Sequence, residues 1–379
     1  WRRAKLELRA AYNYKSGYLN TYNVNPVVRQ RTSGVETWDF TGQYRFSPKF
    51  TFFLDIVNAF NRWESWYTGT DRGRVSLLSL FNINSMHLRF TAALLALTSF
   101  ASAGDPVINK KGFKSRVLAA SDGVGLHYLE SGNGPAILFV PGWTGAAEFW
   151  APQMRLLSPS YRVVALDPRS QGDSEKTSEG NYTERRALDI HEIIVKLNLA
   201  PVILVAWSRA VPESMSLVEQ FGSTDIRAMV LVDGTLVREL TPESARRFMV
   251  EAREMLMDRK KYVSKQVPGM FSKPHSQEFY DSIGKANLKT PTSIAVALQA
   301  DGLERDCRPA LKKLDRPAMF VNRSGPGAAA LAATLSKELP SARLEVMEGV
   351  GHALFLDDTE RFNFLLQDFL RSISKTPNR

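Results

Sequence analysis

The chain has 379 residues, with 49 Lys and Arg against 39 Asp and Glu, five histidines and a single cysteine, Cys307, for a formal net charge of +10. That length has room for two domains. One cysteine excludes an internal disulfide, and the basic excess contains no lysine block of the kind that marks a nucleic-acid partner, so it reads as solvated surface. Neither a Cys/His cluster with metal-ligand spacing nor a Gly-rich phosphate loop occurs, so no metal and no other cofactor is expected.

Residues 1–85 differ in character from the rest. Trp38, Phe40, Gly42, Tyr44 and Phe46 alternate with polar positions, as do Phe50, Phe52, Leu54 and Ile56, while Tyr12, Tyr14, Tyr18 and Tyr22 add aromatics. Such alternation suits strands of a membrane β-barrel. The stretch from Phe46-Ser47-Pro48 to Asn61-Arg62 resembles the C-terminal strands of a TonB-dependent outer-membrane receptor. The strands are too few to close a barrel, so an outer-membrane transport role ranks last among the readings.

A basic start, Met86-His87-Leu88-Arg89-Phe90, then leads into the apolar run Thr91–Leu97 and the small-residue site Ala101-Ser102-Ala103. That is the order of a secretory signal peptide over residues 86–103, and the run is too short for a membrane-spanning helix. The first residue is Trp. We therefore expect residues 1–85 to be the end of a neighbouring gene, joined by read-through, frameshift or gene calling. A genuine fusion is the rival. With a start at Met86, the mature protein begins near Gly104 and is exported, periplasmic or secreted. No stable membrane span is expected in it.

Beyond Gly104 the signal changes to short, continuous apolar runs, the pattern of parallel strands buried on both faces. Ala136–Val140 runs into Pro141-Gly142-Trp143-Thr144-Gly145. Tyr161–Leu166 leads into Asp167-Pro168-Arg169-Ser170-Gln171-Gly172-Asp173-Ser174. Val202–Ala206 ends in Trp207-Ser208-Arg209-Ala210, a serine set among small residues before a helix-compatible segment. Ala228–Val232 precedes Asp233-Gly234, Ala318–Val321 precedes Asn322, and Arg343–Met347 precedes Gly349-Val350-Gly351-His352. Helix-like segments separate these runs, which predicts an α/β fold, a doubly wound and mostly parallel sheet.

The Pro-Gly-Trp turn, the Asp167–Ser174 loop, the Ser208 elbow and the Gly351–Asp358 close occur in the order of four α/β-hydrolase landmarks, and over residues 113–372 the chain resembles that family. The elbow of the family is usually Gly-x-Ser-x-Gly; here Ala206 and Ala210 replace both glycines. The resemblance implies a Ser-His-Asp triad, and the residue types agree. A serine hydroxyl needs a base to take its proton, and an imidazole titrates near neutrality. His352 follows the last strand, the family's site for the base. His191 lies in a helix-like run and reads as structural or solvent-facing.

The family's usual acid position follows the strand ending at Val321, but Asn322-Arg323-Ser324-Gly325-Pro326-Gly327 holds no carboxylate. The alternative position, after the preceding strand, holds Asp233. We assign the acid there, the rival being a plain Asp-Gly turn. The resemblance places the oxyanion donors on the backbone amides of Trp143 and Arg209. The Arg209 guanidinium has two readings, reaching a substrate carboxylate or covering the elbow. Asp167 and Arg169 read as loop scaffolding. The nucleophilic aspartate that haloalkane dehalogenases of this fold require is absent from the elbow.

Residues 236–309 leave the sheet pattern and resemble the family's helical cap, inserted between core segments 104–235 and 310–379. Thr241-Pro242-Glu243 is a helix start, with Phe248, Ala252, Met255 and Leu256 on one packing face. Met249, Met255, Met257, Phe271 and Tyr280 are candidates for an apolar pocket lining. Asp357 and Asp358 are expected to start the C-terminal helix. The expected function is a serine hydrolase acting on a small-molecule carboxylic ester or related acyl compound. The alternatives are a cofactor-free haloperoxidase (perhydrolase) and a non-catalytic binding protein on the same fold.

Overall fold

The computed structural model describes residues 105–374 in full, together with the backbone of six strand segments between residues 5 and 68. These six are β1 (Lys5–Lys15), β2 (Leu19–Thr21), β3 (Gln30–Thr32), β4 (Val35–Ser47), β5 (Phe50–Ile56) and β6 (Trp66–Thr68). Strand β4 pairs antiparallel with β1 and β5, and β3 with β2 and β6. Trp1–Thr98 and Ser99–Arg379 are separate units. The expected signal peptide, 86–103, lies outside the described residues, as do the aromatic side chains that carry the receptor resemblance.

In the second unit the apolar runs become one eight-stranded sheet. Its strands are β7 (Lys114–Ala119), β8 (Gly125–Ser131), β9 (Ala136–Val140), β10 (Arg162–Leu166), β11 (Val202–Trp207), β12 (Ile226–Val232), β15 (Ala318–Arg323) and β16 (Arg343–Met347). Their order across the sheet is β16-β15-β12-β11-β9-β10-β8-β7. From β10 to β16 neighbours run parallel, and β8 joins β10 antiparallel. The central strands read as unbroken apolar runs because each side of the sheet is covered. Ile137, Phe139, Ile203, Val205 and Val230 face one core, and Leu138, Val140, Leu204, Ala206 and Met229 face the other. The α/β sheet expected from the sequence is thus present. β7 and β8 are additions: β7 is a mostly exposed edge strand carrying Lys114 and Arg116, a charge pattern that conceals it.

Helices alternate with the strands. One layer uses α1 (Ala151–Leu157) and α11 (Thr359–Ser374); the other uses α2 (Thr183–Lys196), α3 (Ala210–Phe221), α8 (Arg308–Lys313) and α9 (Pro326–Glu338). After β9 the chain adds β10 on one side and β11 on the other. A crevice therefore opens at the carboxyl ends of β9 and β11, the place where open α/β sheets bind ligands. Between β12 and β15 the chain forms β13 (Val237–Arg238), α4 (Pro242–Met257), α5 (Arg259–Gln266), α6 (Gln277–Leu288), α7 (Thr292–Asp301) and β14 (Arg305–Asp306). Thr241 caps α4 by accepting from the Ser244 N–H, with Pro242 in the first turn. Ala252 and Met255 are buried as expected, but Leu256 is exposed. Among the described residues no helix is long and apolar enough to cross a membrane.

The loop after β10 is fixed by buried charge. Arg169 and Asp189 of α2 form two hydrogen bonds of 2.7 Å, each side chain at most 2% exposed. Burial opposes charging Arg169, yet hydrogen bonds to Asp189 and Asp122 outweigh it and hold the guanidinium above its ordinary value. Asp167 accepts from the backbone N–H groups of Ala147 and Asp173 and from His127 Nδ1. Both residues scaffold the loop. Arg169→Met removes both Arg169 hydrogen bonds from the buried Asp189 and leaves it Arg185 at 2.9 Å, so it should lower unfolding free energy by about 2 kcal/mol in urea titrations.

Candidate active site

β11 ends at Trp207, and the chain must turn sharply to enter α3. Ser208 makes the turn with φ 56°, in the left-handed region that side chains resist; the strain is about 1–2 kcal/mol. It persists because the surroundings over-determine it. The Ser208 N–H donates to the Val232 carbonyl at 2.8 Å, and the Ser208 carbonyl accepts from Val211. Ala206 and Ala210 are fully buried on either side. Room for the turn also comes from across the crevice, where a Cβ at Gly142 would lie 2.8 Å from Ser208 Cβ.

His352 sits in the loop between β16 and the short helix α10 (Leu354–Asp357). Its Nε2 is 2.8 Å from Ser208 Oγ and its Nδ1 is 2.6 Å from Asp233 Oδ2. A carboxylate only accepts, so Nδ1 carries the proton and Nε2 faces the serine hydroxyl as acceptor. Asp233 lies immediately beyond β12, its side chain 6% exposed. Its other oxygen accepts from the Arg323 N–H at 3.2 Å and from Asn322 Nδ2 at 3.4 Å. Asn322, at the family's usual acid position, therefore holds the carboxylate supplied by the neighbouring strand.

The loop bearing His352 is anchored in two ways that the sequence reading overlooked. The Trp207 indole N–H donates to the His352 carbonyl at 3.0 Å. Asp357, 4% exposed, accepts from the backbone N–H groups of Gly351, Ser272 and Lys273, and Ala353 N–H donates to the Met270 carbonyl. Gly351 is required by this contact, since a Cβ there would lie 2.3 Å from the Met270 carbonyl oxygen. Only Asp358 starts α11, accepting from the Arg361 N–H. The shared role expected for the two aspartates is corrected accordingly.

The Trp143 loop faces the elbow. Gln171, fully buried, donates from Nε2 to the Gly142 and Gly145 carbonyls at 2.9 Å and accepts from the Thr144 N–H and from Arg186. It fixes the backbone around Trp143. The sequence signal for Gln171 was its place in the Asp167–Ser174 loop, which gave no residue-level role. Among the described residues, neither the Trp143 N–H nor the Arg209 N–H has an acceptor. The Trp143 indole donates to the Ala295 carbonyl of α7 at 2.8 Å.

Arg209 does not project free toward a ligand, and it does more than cover the elbow. Its guanidinium, 8% exposed, pairs with Asp301 and Glu213 and donates to the Leu298 carbonyl at 2.5 Å. It ties the elbow to α7. Burial would raise the Asp301 pKa, but the hydrogen bond from Thr183 and the charge of Arg209 prevail and lower it. A cavity of about 900 Å³ opens over Ser208 and His352 and is lined also by Trp143, Phe248, Leu298 and Leu331. That volume suits a small molecule. Met249, Met255, Met257, Phe271 and Tyr280 are not in its wall. Met249 and Met257 are exposed on the outer face of α4, 68% and 75%, and Met255 is buried in packing.

Among the described residues the other histidines lie apart from this site: His191 stacks on Phe221 at 4.1 Å, and His275 pairs with Asp105 and Asp357. His127, Asp167 and Asp173 come close enough to share an ion, but Asp173 pairs with Lys110 and Lys289 and His127 with Asp167 and Ser115. The group reads as an ion-paired scaffold.

A serine, imidazole and carboxylate in hydrogen-bonded series at the carboxyl ends of parallel strands define an enzyme class, the α/β-fold hydrolases. The profile of the alpha/beta hydrolase family matches residues 137–363, and the chain belongs to that family. It is similar to non-heme chloroperoxidase CPO-A1 of Kitasatospora aureofaciens, 26% identical over 67% of this chain and 98% of that protein. It is also similar to 2-(acetamidomethylene)succinate hydrolase of Mesorhizobium japonicum, 27% identical over 60% of this chain and 84% of that protein. An esterase of Exiguobacterium antarcticum shares the fold, with a TM-score of 0.63 and 19% identity over 68% of this chain and all of that one. The protein is an enzyme of the α/β-hydrolase type.

The two aspartates separate experimentally. Asp357→Ala strands three backbone donors, so it should cost about 3 kcal/mol in urea titrations and lower hydrolytic kcat about tenfold as the His352 loop loosens. Asp358→Ala removes one helix cap, about 1 kcal/mol, and should leave kcat within about twofold.

Proposed function

We propose that the enzyme is a serine hydrolase that cleaves a carboxylic ester or related acyl substrate through an acyl-enzyme. The observation that carries this reading is the series Asp233 Oδ2, His352 Nδ1, His352 Nε2, Ser208 Oγ, with steps of 2.6 and 2.8 Å. Ser208 Oγ attacks the acyl carbon as His352 Nε2 takes its proton. Asp233 stabilises the imidazolium and fixes its tautomer. The backbone N–H groups of Trp143 and Arg209, without acceptors among the described residues, serve the developing oxyanion. His352 then returns the proton to the departing alkoxide, and water attacks the acyl-enzyme with His352 again as base.

Residues 236–309 act as a cap, contributing Phe248 and Leu298 to the cavity. The similarity to a chloroperoxidase supports a second reading, a perhydrolase in which hydrogen peroxide replaces water as the attacking molecule and the acyl group leaves as a peracid. We further propose export from a start at Met86, with residues 1–85 being receptor-like sequence foreign to the enzyme. Mass spectrometry of the natural protein should find a mature N-terminus near Gly104; a peptide spanning Ser79 to Arg89 would contradict this.

The catalytic assignment is tested by substitution. Ser208→Ala should reduce turnover of short p-nitrophenyl esters by about three to six orders of magnitude and abolish labelling by a fluorophosphonate. Asp233→Asn is nearly isosteric and should keep the fold while costing up to about four orders of magnitude in rate. A wild-type protein that neither labels nor hydrolyses any ester across a chain-length series would contradict the acyl-enzyme reading.

A further inference from the structure

The charge lining the catalytic cavity is unbalanced. Arg209, Arg238, Arg247, Arg305 and Arg323 contribute to its wall, against only Asp233 and Glu251. Four of the five have a partner. Arg209 pairs with Asp301 and Glu213, and Arg305 with Glu184 and Asp301. Arg323 lies 3.3 Å from Asp233, and Arg247 lies 4.0 Å from Glu251. Arg238 has no carboxylate within ion-pair distance among the described residues. Its one hydrogen bond is from Nη1 to the Gly302 carbonyl at 3.1 Å.

The fold holds Arg238 among like charges. The short antiparallel pair β13–β14 sets Arg238 directly opposite Arg305, a like-charge cross-strand placement in which Glu184 and Asp301 pair with Arg305 and not with Arg238. Desolvation and the neighbouring Arg247 and Arg209 charges push its pKa below the ordinary arginine value. A second uncompensated cation stands behind the Trp143 side of the cavity. The Arg259 guanidinium lies 5.2 Å over the Trp143 ring and 5.6 Å over the Tyr262 ring. Its three nitrogens are buried and without acceptors. A cleft walled by one sign of charge concentrates ligands of the other sign, and a guanidinium fork matches a carboxylate in two parallel hydrogen bonds.

We infer that the preferred substrate is an ester carrying a free carboxylate, which Arg238 binds while Ser208 attacks the ester carbonyl. The inference rests on the hydrolase reading above and names its substrate class. Arg247 and Arg323 reinforce the field at the same wall. The scissile ester itself stays neutral, so recognition and chemistry use different ends of the molecule.

The test compares kcat/KM within two pairs of esters at low ionic strength. Monoethyl adipate against ethyl hexanoate places the carboxylate on the acyl side, and 4-acetoxybenzoate against phenyl acetate places it on the leaving group. In at least one pair the wild type should favour the anionic member by about 10- to 100-fold, and the preference should shrink as salt is added. Arg238→Gln should bring that ratio to within about threefold of unity, and Arg238→Lys should keep part of it. Arg253→Gln, on α4 but outside the cavity wall, removes the same net charge and should leave the ratio as in wild type. Turnover of the neutral esters with no preference for either anionic partner overturns the inference and leaves the hydrolase reading standing. A preference that survives Arg238→Gln overturns the assignment to Arg238. No turnover of any of the four esters, with no fluorophosphonate label on Ser208, overturns both readings.

Discussion

The left-handed backbone of Ser208 is the constraint around which the site is arranged. With φ at 56°, Ser208 turns the chain out of β11, and only Arg209 separates it from the first residue of α3. Any bulk beside the turn would push the backbone out of that conformation. The protein supplies the needed room in two places: the small Ala206 and Ala210 on the chain itself, and Gly142 across the crevice, closer to Ser208 than any side chain allows. The loop that must contain Gly142 also presents the Trp143 N–H, and Gln171 holds both in place. A single steric demand thus couples the Ser208 turn to the Trp143 loop. The absence of the usual elbow glycines is compensated by the packing on the facing side.

The position of Asp233 follows from strand register. β12 and β15 are neighbouring parallel strands, with Val232 opposite Val321, so their next residues, Asp233 and Asn322, emerge side by side. The Asp233 carboxylate, at the end of β12, reaches the His352 imidazole. Placing it on β12 leaves β15 free to present an amide, and Asn322 with the Arg323 N–H then holds the carboxylate oxygen that His352 does not use.

The elements buried on both faces were legible in the sequence because such strands admit little but apolar residues, and the residues after β11, β12 and β16 stood out by chemical type. Ser208, His352 and Asp233 could therefore be singled out together, and the fold brings them into hydrogen-bond contact. What remained hidden depends on contacts distant in sequence. β7 carries the charges of an exposed edge and lacks an apolar signature. Arg209 reads as a free cation until Asp301, 92 residues later, is folded against it. Asp357 looks like a helix start, yet it collects N–H groups from Gly351, Ser272 and Lys273. Which side chains of α4 meet the cavity is not legible in a helix of mixed polarity: Ser244, Arg247, Phe248 and Glu251 line the wall, and the candidate methionines do not. Gln171 is uninformative by type, and only its fully buried position reveals what it holds.

The hydrogen bond between Asp233 and His352 Nδ1 is the central claim, and proton NMR observes it directly. The imidazole N–H held by a carboxylate should give a strongly downfield resonance in the folded wild-type protein. That resonance should disappear in Asp233→Asn and persist in Asn322→Ala, where the carboxylate loses only a supporting donor. Survival of the resonance in Asp233→Asn would mean that another group holds His352 and would contradict the account.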